Sequence, residues 1–164
     1  MPAYFDQPDR VAELQFAAAT WIGTPFMPNA AVKGAGVSCQ KLAGALYQES
    51  GCLPREFAIP EGPMNWSHAH TDSLLADFMD AQPNFMGVAA DVIASAARPP
   101  LQLIPGDLLG FRIGGCVNHC GVLVATDGQF IHCLRGRGVL FSNLRDASYL
   151  GRLEKVWRPV AAAF

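Results

Sequence analysis

Residues 118–134, NHCGVLVATDGQFIHCL, have the pattern of a β-hairpin and decide the fold of the chain. Two runs rich in Val, Leu, Ile and Phe flank a Thr-Asp-Gly segment, which is typical of a tight turn. Residues paired across antiparallel strands lie on the same side of the sheet. A turn of even length therefore places His119 and His132 on one face, and alternation along each strand sends Cys120 and Cys133 to the other.

Further strands are predicted on both sides of this hairpin. Short runs of β-branched and aromatic residues separated by Gly-containing turns occur at 107–112, 119–126, 129–134, 139–141 and 154–160. They predict an antiparallel sheet of about five strands. The N-terminal half favours helices instead, because apolar residues recur at helical spacing in 8–22, 38–50, 74–79 and 88–97. Helices followed by strands indicate an α+β fold class, with N-terminal helices packed on the sheet.

The composition fits a single domain over residues 1–164. Apolar residues make up 51% of the chain and charged residues 16%, which supports a core and excludes a disordered protein. A net charge of −2 lacks the positive field that binding to nucleic acid requires, so we expect no nucleic-acid partner. No apolar run reaches the roughly 18 residues of a membrane span, which predicts no membrane partner.

The N-terminus and the cysteines predict a cytoplasmic origin. No basic leader followed by an apolar block is visible at the start of the chain, so we expect no export signal. Five cysteines are an odd number, which argues against a disulfide framework and for reduced thiols. We therefore expect the chain to be made and folded in the cytoplasm.

Cys39 is the candidate nucleophile. It follows a Gly-rich loop and opens the helix predicted over 38–50. A thiol at a helix N-terminus faces unpaired N–H groups and the positive end of the helix dipole, both of which favour the thiolate. The alternative is a buried cysteine that packs as a small hydrophobe. Two imidazoles on one sheet face together with such a thiol match the requirement for a nucleophile, a base and a group that orients the base.

The histidines and cysteines also raise two structural alternatives. Either histidine alone is compatible with a strand residue bonded to a backbone carbonyl. A zinc site is a second alternative, but the Cys-x3-Cys spacing of Cys116 and Cys120 is loose for zinc. The predicted alternation also separates Cys120 and Cys133 from the two histidines. We therefore predict no metal ligands.

Several blocks of the sequence resemble the NlpC-type family of papain-like cell-wall cysteine peptidases. The blocks are 18–26 (AATWIGTPF), 32–39 (VKGAGVSC), 105–112 (PGDLLGFR), 118–123 (NHCGVL) and 130–132 (FIH). Their order and spacing are much more specific than a lone Cys or His. Val139, Arg152-Leu153 and the segment 157–159 (WRP) look particularly like the branch found in phage tails and gene transfer agents.

The resemblance implies a papain-like NlpC fold with Cys39 as nucleophile, His119 as general base and His132 as the polar group that orients the His119 ring. It implies that no metal or organic cofactor is needed. The implied substrate is a peptidoglycan stem peptide or muropeptide, cut at the bond from D-glutamate to a diamino acid. Phage-tail proteins are the implied partners, and the virion or tail is the implied destination.

The sequence departs from the family pattern around Cys39. Ser38 stands where the family usually has Asp, and Gln40-Lys41 replace a small residue and Gly. Phe26 replaces a Tyr that helps to shape the oxyanion site in many members. We predict Phe26 and Ser38 as substrate-binding positions, and we expect Lys41 to add positive charge near the thiol and to narrow the cleft. These changes keep open the alternative of a catalytically weak or inactive structural or assembly protein of a phage-like tail. An acyl- or lipid-modifying relative is a third alternative.

Overall fold

The computed structural model describes residues 1–60, 62–63, 66–98 and 101–161. The helices in these ranges are α1 (Pro8–Trp21), α2 (Cys39–Glu49), α3 (Trp66–Ala69), α4 (Leu74–Asp80), α5 (Ala90–Ala94) and α6 (Ala147–Leu150), with 3₁₀ turns at Tyr4–Asp6 and Ser95–Ala97. The strands are β1 (Ala31–Val32), β2 (Gly36–Val37), β3 (Phe85–Gly87), β4 (Leu108–Ile113), β5 (Cys116–Leu123), β6 (Gln129–Leu134), β7 (Gly138–Asn143) and β8 (Leu153–Pro159). Within the described ranges, no helix has the length and apolar character needed to cross a membrane.

The main sheet has six antiparallel strands in the order β3-β8-β4-β5-β6-β7, and β1 pairs with β2 in a separate two-stranded sheet. The predicted strands of the C-terminal half are all present, which confirms the α+β class. The expected number of about five was low by one, because β3 is a three-residue strand whose partner, β8, lies far away in the sequence. A strand that pairs only at long range carries no local hairpin signal.

The β5–β6 hairpin has the register expected for a loop of four residues. Gly121 pairs with His132 and Leu123 pairs with Phe130, and the Val124 amide donates a hydrogen bond to the Gln129 carbonyl at 2.9 Å. This even-length connection confirms that His119 and His132 share a face. The register between β4 and β5 shifts next to Asn118, immediately before His119. Bulges increase the local twist of a strand and re-aim its side chains. We attribute to this bulge the contact of the His119 ring with Cys39 on α2.

The sheet is covered on both faces, and each face has its own buried cluster. The first cluster joins α1, α2 and α4 to one face through residues that include Leu14, Leu42, Leu75, Cys120 and Cys133. The second covers the other face with α5 and α6, through residues that include Phe111, Leu123, Phe130, Val92 and Tyr149. Cys120 and Cys133 thus lie on the face that α1, α2 and α4 cover. The prediction from strand alternation was that they lie on the face opposite His119 and His132. The packing of α2 on this side fixes where its first residue lies.

The predicted helices are confirmed with small changes at their ends. Ser73 caps α4, because its hydroxyl accepts a hydrogen bond from the Ala76 amide at 2.9 Å. The helix predicted over 88–97 starts at Ala90. The segment 51–70, which lies between the helices predicted over 38–50 and 74–79, contains the short helix α3. Positions 61, 64 and 65 of that segment and positions 162–164 of the predicted domain lie outside the described residues.

Candidate active site

Cys39 is the first residue of α2 and is half-buried. The Ser38 hydroxyl caps the helix by accepting a hydrogen bond from the Lys41 amide at 3.3 Å. The pKa of Cys39 lies well below its ordinary value. A hydrogen bond from the Cys120 thiol is the main cause, and a hydrogen bond with His119 and the charge of that ring add to it against the opposing effect of burial. These contacts stabilise the thiolate relative to the thiol.

A chain of hydrogen bonds continues from His119 into the sheet. His119 Nε2 lies 2.9 Å from His132 Nδ1, and His132 Nε2 lies 2.8 Å from Ser142 Oγ. Since Nε2 of His119 faces His132, Nδ1 is the ring nitrogen left for the Cys39 sulfur. The structure thus brings together the three residues that the sequence singled out, Cys39, His119 and His132.

His132 is fully buried and neutral. Burial, together with the charges of His119 and Arg137, lowers its pKa to about 3. The rings of Phe130 and Tyr149 pack against it, with centroids 4.7 and 5.3 Å from its own. A neutral imidazole offers one N–H donor and one acceptor nitrogen. The His132 ring therefore carries no charge where it contacts His119.

The other four thiols have pKa values above the ordinary one. Burial raises the pKa of Cys52 and of Cys133 to about 12, and it also raises that of Cys116. The pKa of Cys120 is raised because its thiol donates a hydrogen bond to the Cys39 sulfur and because it is buried. All five cysteines are free thiols. Cys39 is thus the one cysteine of the five with thiolate character.

Cys39 and His119 line a cleft of about 850 Å³. Apolar side chains form part of its wall, among them Phe26, Trp66, Leu74 and Phe78. Arginines form another part, namely Arg135, Arg137 and Arg152, and the described lining residues include no carboxylate. Such a cleft offers apolar contact together with positive charge. Within the described ranges, no group of three or more His, Cys, Asp or Glu side chains is placed to hold a metal ion.

Phe26 and Ser38 both lie in the wall of the cleft. Phe26 is half-buried, and the Arg135 guanidinium carbon lies 5.8 Å from the centroid of its ring. Ser38 is only 3% exposed, and its hydroxyl is engaged in capping α2. Their role as substrate-binding residues stays a prediction. Lys41 donates a hydrogen bond from Nζ to the Ile59 carbonyl at 2.7 Å and does not line the cleft, so its bulk does not narrow it.

Three residues of the site were missed by the sequence analysis. The signal for Ser142 was available, because the pairing rule applied to β6 and β7 places it on the His132 face. Cys120 was assigned to the face opposite the histidines, but its contact with Cys39 depends on how α2 packs on that face. Tyr149 lies on a four-residue helix, which has no periodicity to read.

No protein-family profile matches the chain. The chain is 27% identical over 135 residues to the gamma-DL-glutamyl hydrolase of Bacillus subtilis, an alignment that covers 76% of this chain and 30% of that protein. It therefore spans less than a third of the length of this relative.

Solved structures with similar folds belong to NlpC/P60 proteins. A lipoprotein-like NLP/P60 family protein of Staphylococcus aureus superposes with a TM-score of 0.62 at 15% identity, over 95% of this chain and 43% of that one. The NlpC/p60 domain of the peptidoglycan hydrolase SagA gives 0.55 at 16% identity, over 93% and 98%. A Bacillus cereus NlpC/P60 family protein gives 0.60 at 19% identity, over 92% and 40%. The chain accordingly has the papain-like α+β fold of NlpC/P60 domains.

Proposed function

We propose that the chain is a cysteine peptidase of the NlpC/P60 family that hydrolyses peptidoglycan stem peptides or muropeptides. The observation that carries this proposal is the hydrogen-bonded chain from Cys39 through His119 to His132 at a cleft. The names of two similar proteins support it, since one is a gamma-DL-glutamyl hydrolase and the other belongs to a peptidoglycan hydrolase. Residues 1–164 form one NlpC-type peptidase domain in this proposal.

In the first half of the reaction, the Cys39 thiolate attacks the carbonyl carbon of the scissile amide. A carbon–sulfur bond forms, and the carbonyl electron pair moves onto oxygen. The backbone N–H of Cys39 is available to hold this oxyanion, because the first N–H groups of a helix have no partner within the helix. His119, protonated, then gives its proton to the leaving amine as the carbon–nitrogen bond breaks, which leaves a thioester.

In the second half, His119 takes a proton from water as the water attacks the thioester. The carbon–sulfur bond breaks, the carboxylic acid product leaves, and Cys39 returns as a thiolate beside protonated His119. His132 holds the His119 ring in place throughout, through the contact at 2.9 Å. Because His132 has a pKa of about 3, it stays neutral across the pH range in which peptidases work. These steps use the side chains of Cys39, His119 and His132, the backbone N–H of Cys39 and water.

The charge of the cleft fits a substrate with several carboxylates. The protein carries a net charge of −2, yet three arginines line the cleft. Neither Arg137 nor Arg152 forms an ion pair with a carboxylate within residues 1–60, 62–63, 66–98 and 101–161. A stem peptide offers free carboxylates on its D-glutamate and diamino acid residues, which guanidinium groups bind well. We therefore propose the bond between D-glutamate and the diamino acid as the cleavage site, with Phe26 and Ser38 in the substrate-binding wall.

The place of the enzyme in biology is proposed from the sequence resemblance. Val139, Arg152-Leu153 and the segment 157–159 support a protein associated with a phage-like tail, and muropeptide processing in the cytoplasm is the other route. A specific observation favours a second function. Phe26 has no hydroxyl to donate to an oxyanion, which favours a structural or assembly protein of a tail with weak or no activity.

Mass spectrometry of muropeptides incubated with the protein separates these functions. Wild type and a Cys52→Ala control are expected to release new products, and Cys39→Ala is expected to release none. Cys52 is a suitable control because it is a half-buried thiol outside the cleft. The product masses identify the bond. If folded, reduced wild type releases no products from walls containing meso-diaminopimelate or lysine, the peptidase proposal is wrong and the structural tail role replaces it.

A further inference from the structure

We propose that Ser142 is a positioning residue, which fixes the tautomer of His132 and thereby allows His119 to hold the proton of the thiolate–imidazolium pair. The inference deepens the proposed peptidase function and rests on it for its catalytic meaning. The strand register places Ser142 on the required face. His132 pairs with Leu140 and Phe130 pairs with Ser142, so Ser142 lies diagonally opposite His132 on the same side of the sheet.

The hydroxyl of Ser142 meets the second ring nitrogen of His132. Oγ lies 2.8 Å from Nε2, while Nδ1 of the same ring lies 2.9 Å from His119 Nε2. Both nitrogens of a fully buried imidazole are therefore engaged. The rings of Phe130 and Tyr149 pack against the imidazole and offer its nitrogens no comparable partner. Ser142 is thus the side chain that can accept a hydrogen bond from Nε2–H of His132 and so support the tautomer with its proton on that nitrogen.

The state of His119 during the reaction allows only one arrangement of these protons. When His119 is an imidazolium, its Nε2–H donates, so Nδ1 of His132 must accept. A neutral His132 that accepts at Nδ1 carries its proton at Nε2, and that N–H must donate to Ser142 Oγ. In the opposite tautomer, two N–H groups would face each other at 2.9 Å. The hydroxyl accepts in the required state, which an alanine methyl group cannot do.

We call the hydrogen-bonded chain from His119 through His132 to Ser142 the relay. Among the described residues, few titratable or charged groups face it. His119 on β5, Arg137 in the turn after β6 and Tyr149 on α6 face His132. Cys39 on α2 faces His119 and also the Cys120 thiol on β5. Cys133 on β6 is close enough for the Cys39 charge to raise its pKa. Burial and the positive charges of His119 and Arg137 keep His132 neutral. If a substitution of Ser142 changes how the alkylation rate of Cys39 depends on pH, the change is therefore transmitted through the relay.

The first test measures the rate at which iodoacetamide alkylates Cys39 between pH 4 and 9. In Ser142→Ala, the apparent pKa of Cys39 is expected to rise by about one unit, with an alkylation rate about tenfold lower on the acidic side of the profile. Ser142→Thr keeps the hydroxyl and is expected to stay within about twofold of wild type. Ser95→Ala, on the 3₁₀ turn outside the cleft, is the control and is expected to match wild type. An unchanged profile in Ser142→Ala, or an equal shift in Ser142→Thr or Ser95→Ala, would overturn the proposal.

The second test uses the unaltered protein and does not depend on a variant folding. Nitrogen-15 NMR of labelled imidazoles is expected to show the His132 proton on Nε2 and none on Nδ1, at a pH where His119 is charged. A proton on Nδ1 there would contradict the relay.

Neither test needs a peptide substrate. A negative result in either one would therefore contradict the role of Ser142 and leave the peptidase proposal, which is tested with muropeptides, unaffected. Where muropeptides are cleaved, Ser142→Ala is expected to lower kcat about tenfold with KM unchanged, because the relay supports the reacting pair and not substrate binding. An equal change in KM would assign Ser142 to substrate binding and overturn its positioning role.

Discussion

Cys39 differs from the other four cysteines in its surroundings. It lies at the start of a helix, receives a hydrogen bond from Cys120 and contacts His119, whereas burial raises the pKa of Cys52 and Cys133 to about 12. Reactivity toward alkylating agents follows the thiolate fraction and access to the sulfur. The two conditions coincide at Cys39, which also lines the cleft.

Brief treatment with iodoacetamide at pH 6.5 is therefore expected to add one adduct per chain, at Cys39. Intact-mass measurement followed by peptide mapping checks the number and the position. The matched control is Cys39→Ser, which should remain unlabelled under the same conditions. Comparable labelling of Cys52, which is also half-buried, would mean that access rather than thiolate character decides reactivity.

Asp80 links the end of α4 to β8. Its carboxylate accepts hydrogen bonds from Lys155 Nζ and Trp157 Nε1, both at 2.7 Å. Partial burial raises the pKa of Asp80, but these two bonds and the Lys155 charge outweigh it and lower the pKa below the ordinary 3.8. A carboxyl group with a lowered folded-state pKa stabilises the protein above its unfolded-state pKa and loses that effect as the pH falls through the folded-state value.

Asp80→Ala is expected to lower the free energy of unfolding by about 1 kcal/mol at pH 7, because the Trp157 N–H loses its partner. Asp80→Asn, which keeps an acceptor for Trp157, is expected to lose less. Urea unfolding at several pH values checks both, and the difference between wild type and Asp80→Asn should shrink as the pH falls below 3.8. A difference that stays constant down to pH 2 would show that the charge of Asp80 has no part in stability.

The first residues of β7 hold part of the cleft wall in place. Gly138 has φ +74°, and a Cβ atom there would lie 2.5 Å from the Thr24 carbonyl oxygen. That same oxygen accepts a hydrogen bond from the Val139 amide at 2.9 Å, and Gly23 donates to the Val139 carbonyl at 3.0 Å. The start of β7 thus ties down the segment that leads to Phe26.

Gly138→Ala is expected to lower the free energy of unfolding by about 1–3 kcal/mol more than Gly136→Ala does. Both glycines have a left-handed φ, +75° at Gly136, so both variants share that strain. A Cβ on Gly136 meets nothing within 4 Å, which isolates the clash at Gly138. Thermal or urea unfolding of the pair measures the difference, and equal losses would mean that the contact with Thr24 is easily relieved.

What the sequence could predict follows from how far apart the interacting residues lie along the chain. The hairpin that carries His119 and His132 is local, so turn length and alternation were sufficient to place both rings together. Strand β3 pairs only with the distant β8, and the contact between Cys120 and Cys39 depends on helix packing against the sheet. Neither follows from a local pattern. The sequence alone does not single out Ser73 as the cap of α4, because three polar residues in succession precede that helix and only the backbone geometry selects among them.

The charge distribution over the protein sets a further expectation. A chain with net charge −2 places Arg137 and Arg152 at its cleft, so an anionic peptide is expected to be attracted there. Arg152→Gln is expected to raise KM for muropeptides by about three- to tenfold with kcat unchanged. Arg145→Gln, an exposed arginine outside the cleft, is the control. Steady-state kinetics at rising NaCl should show KM of wild type increasing toward that of Arg152→Gln; a KM insensitive to salt would argue against carboxylate binding by this arginine.

The strand order β3-β8-β4-β5-β6-β7 also has a consequence for synthesis on the ribosome. Cys39 is translated 80 residues before His119 and 93 before His132, and β8, which inserts between β3 and β4, comes later still. A nascent chain that ends before residue 119 therefore carries the thiol without either imidazole. The hydrogen-bonded pair of His119 and His132 can form only after residue 132 has been added.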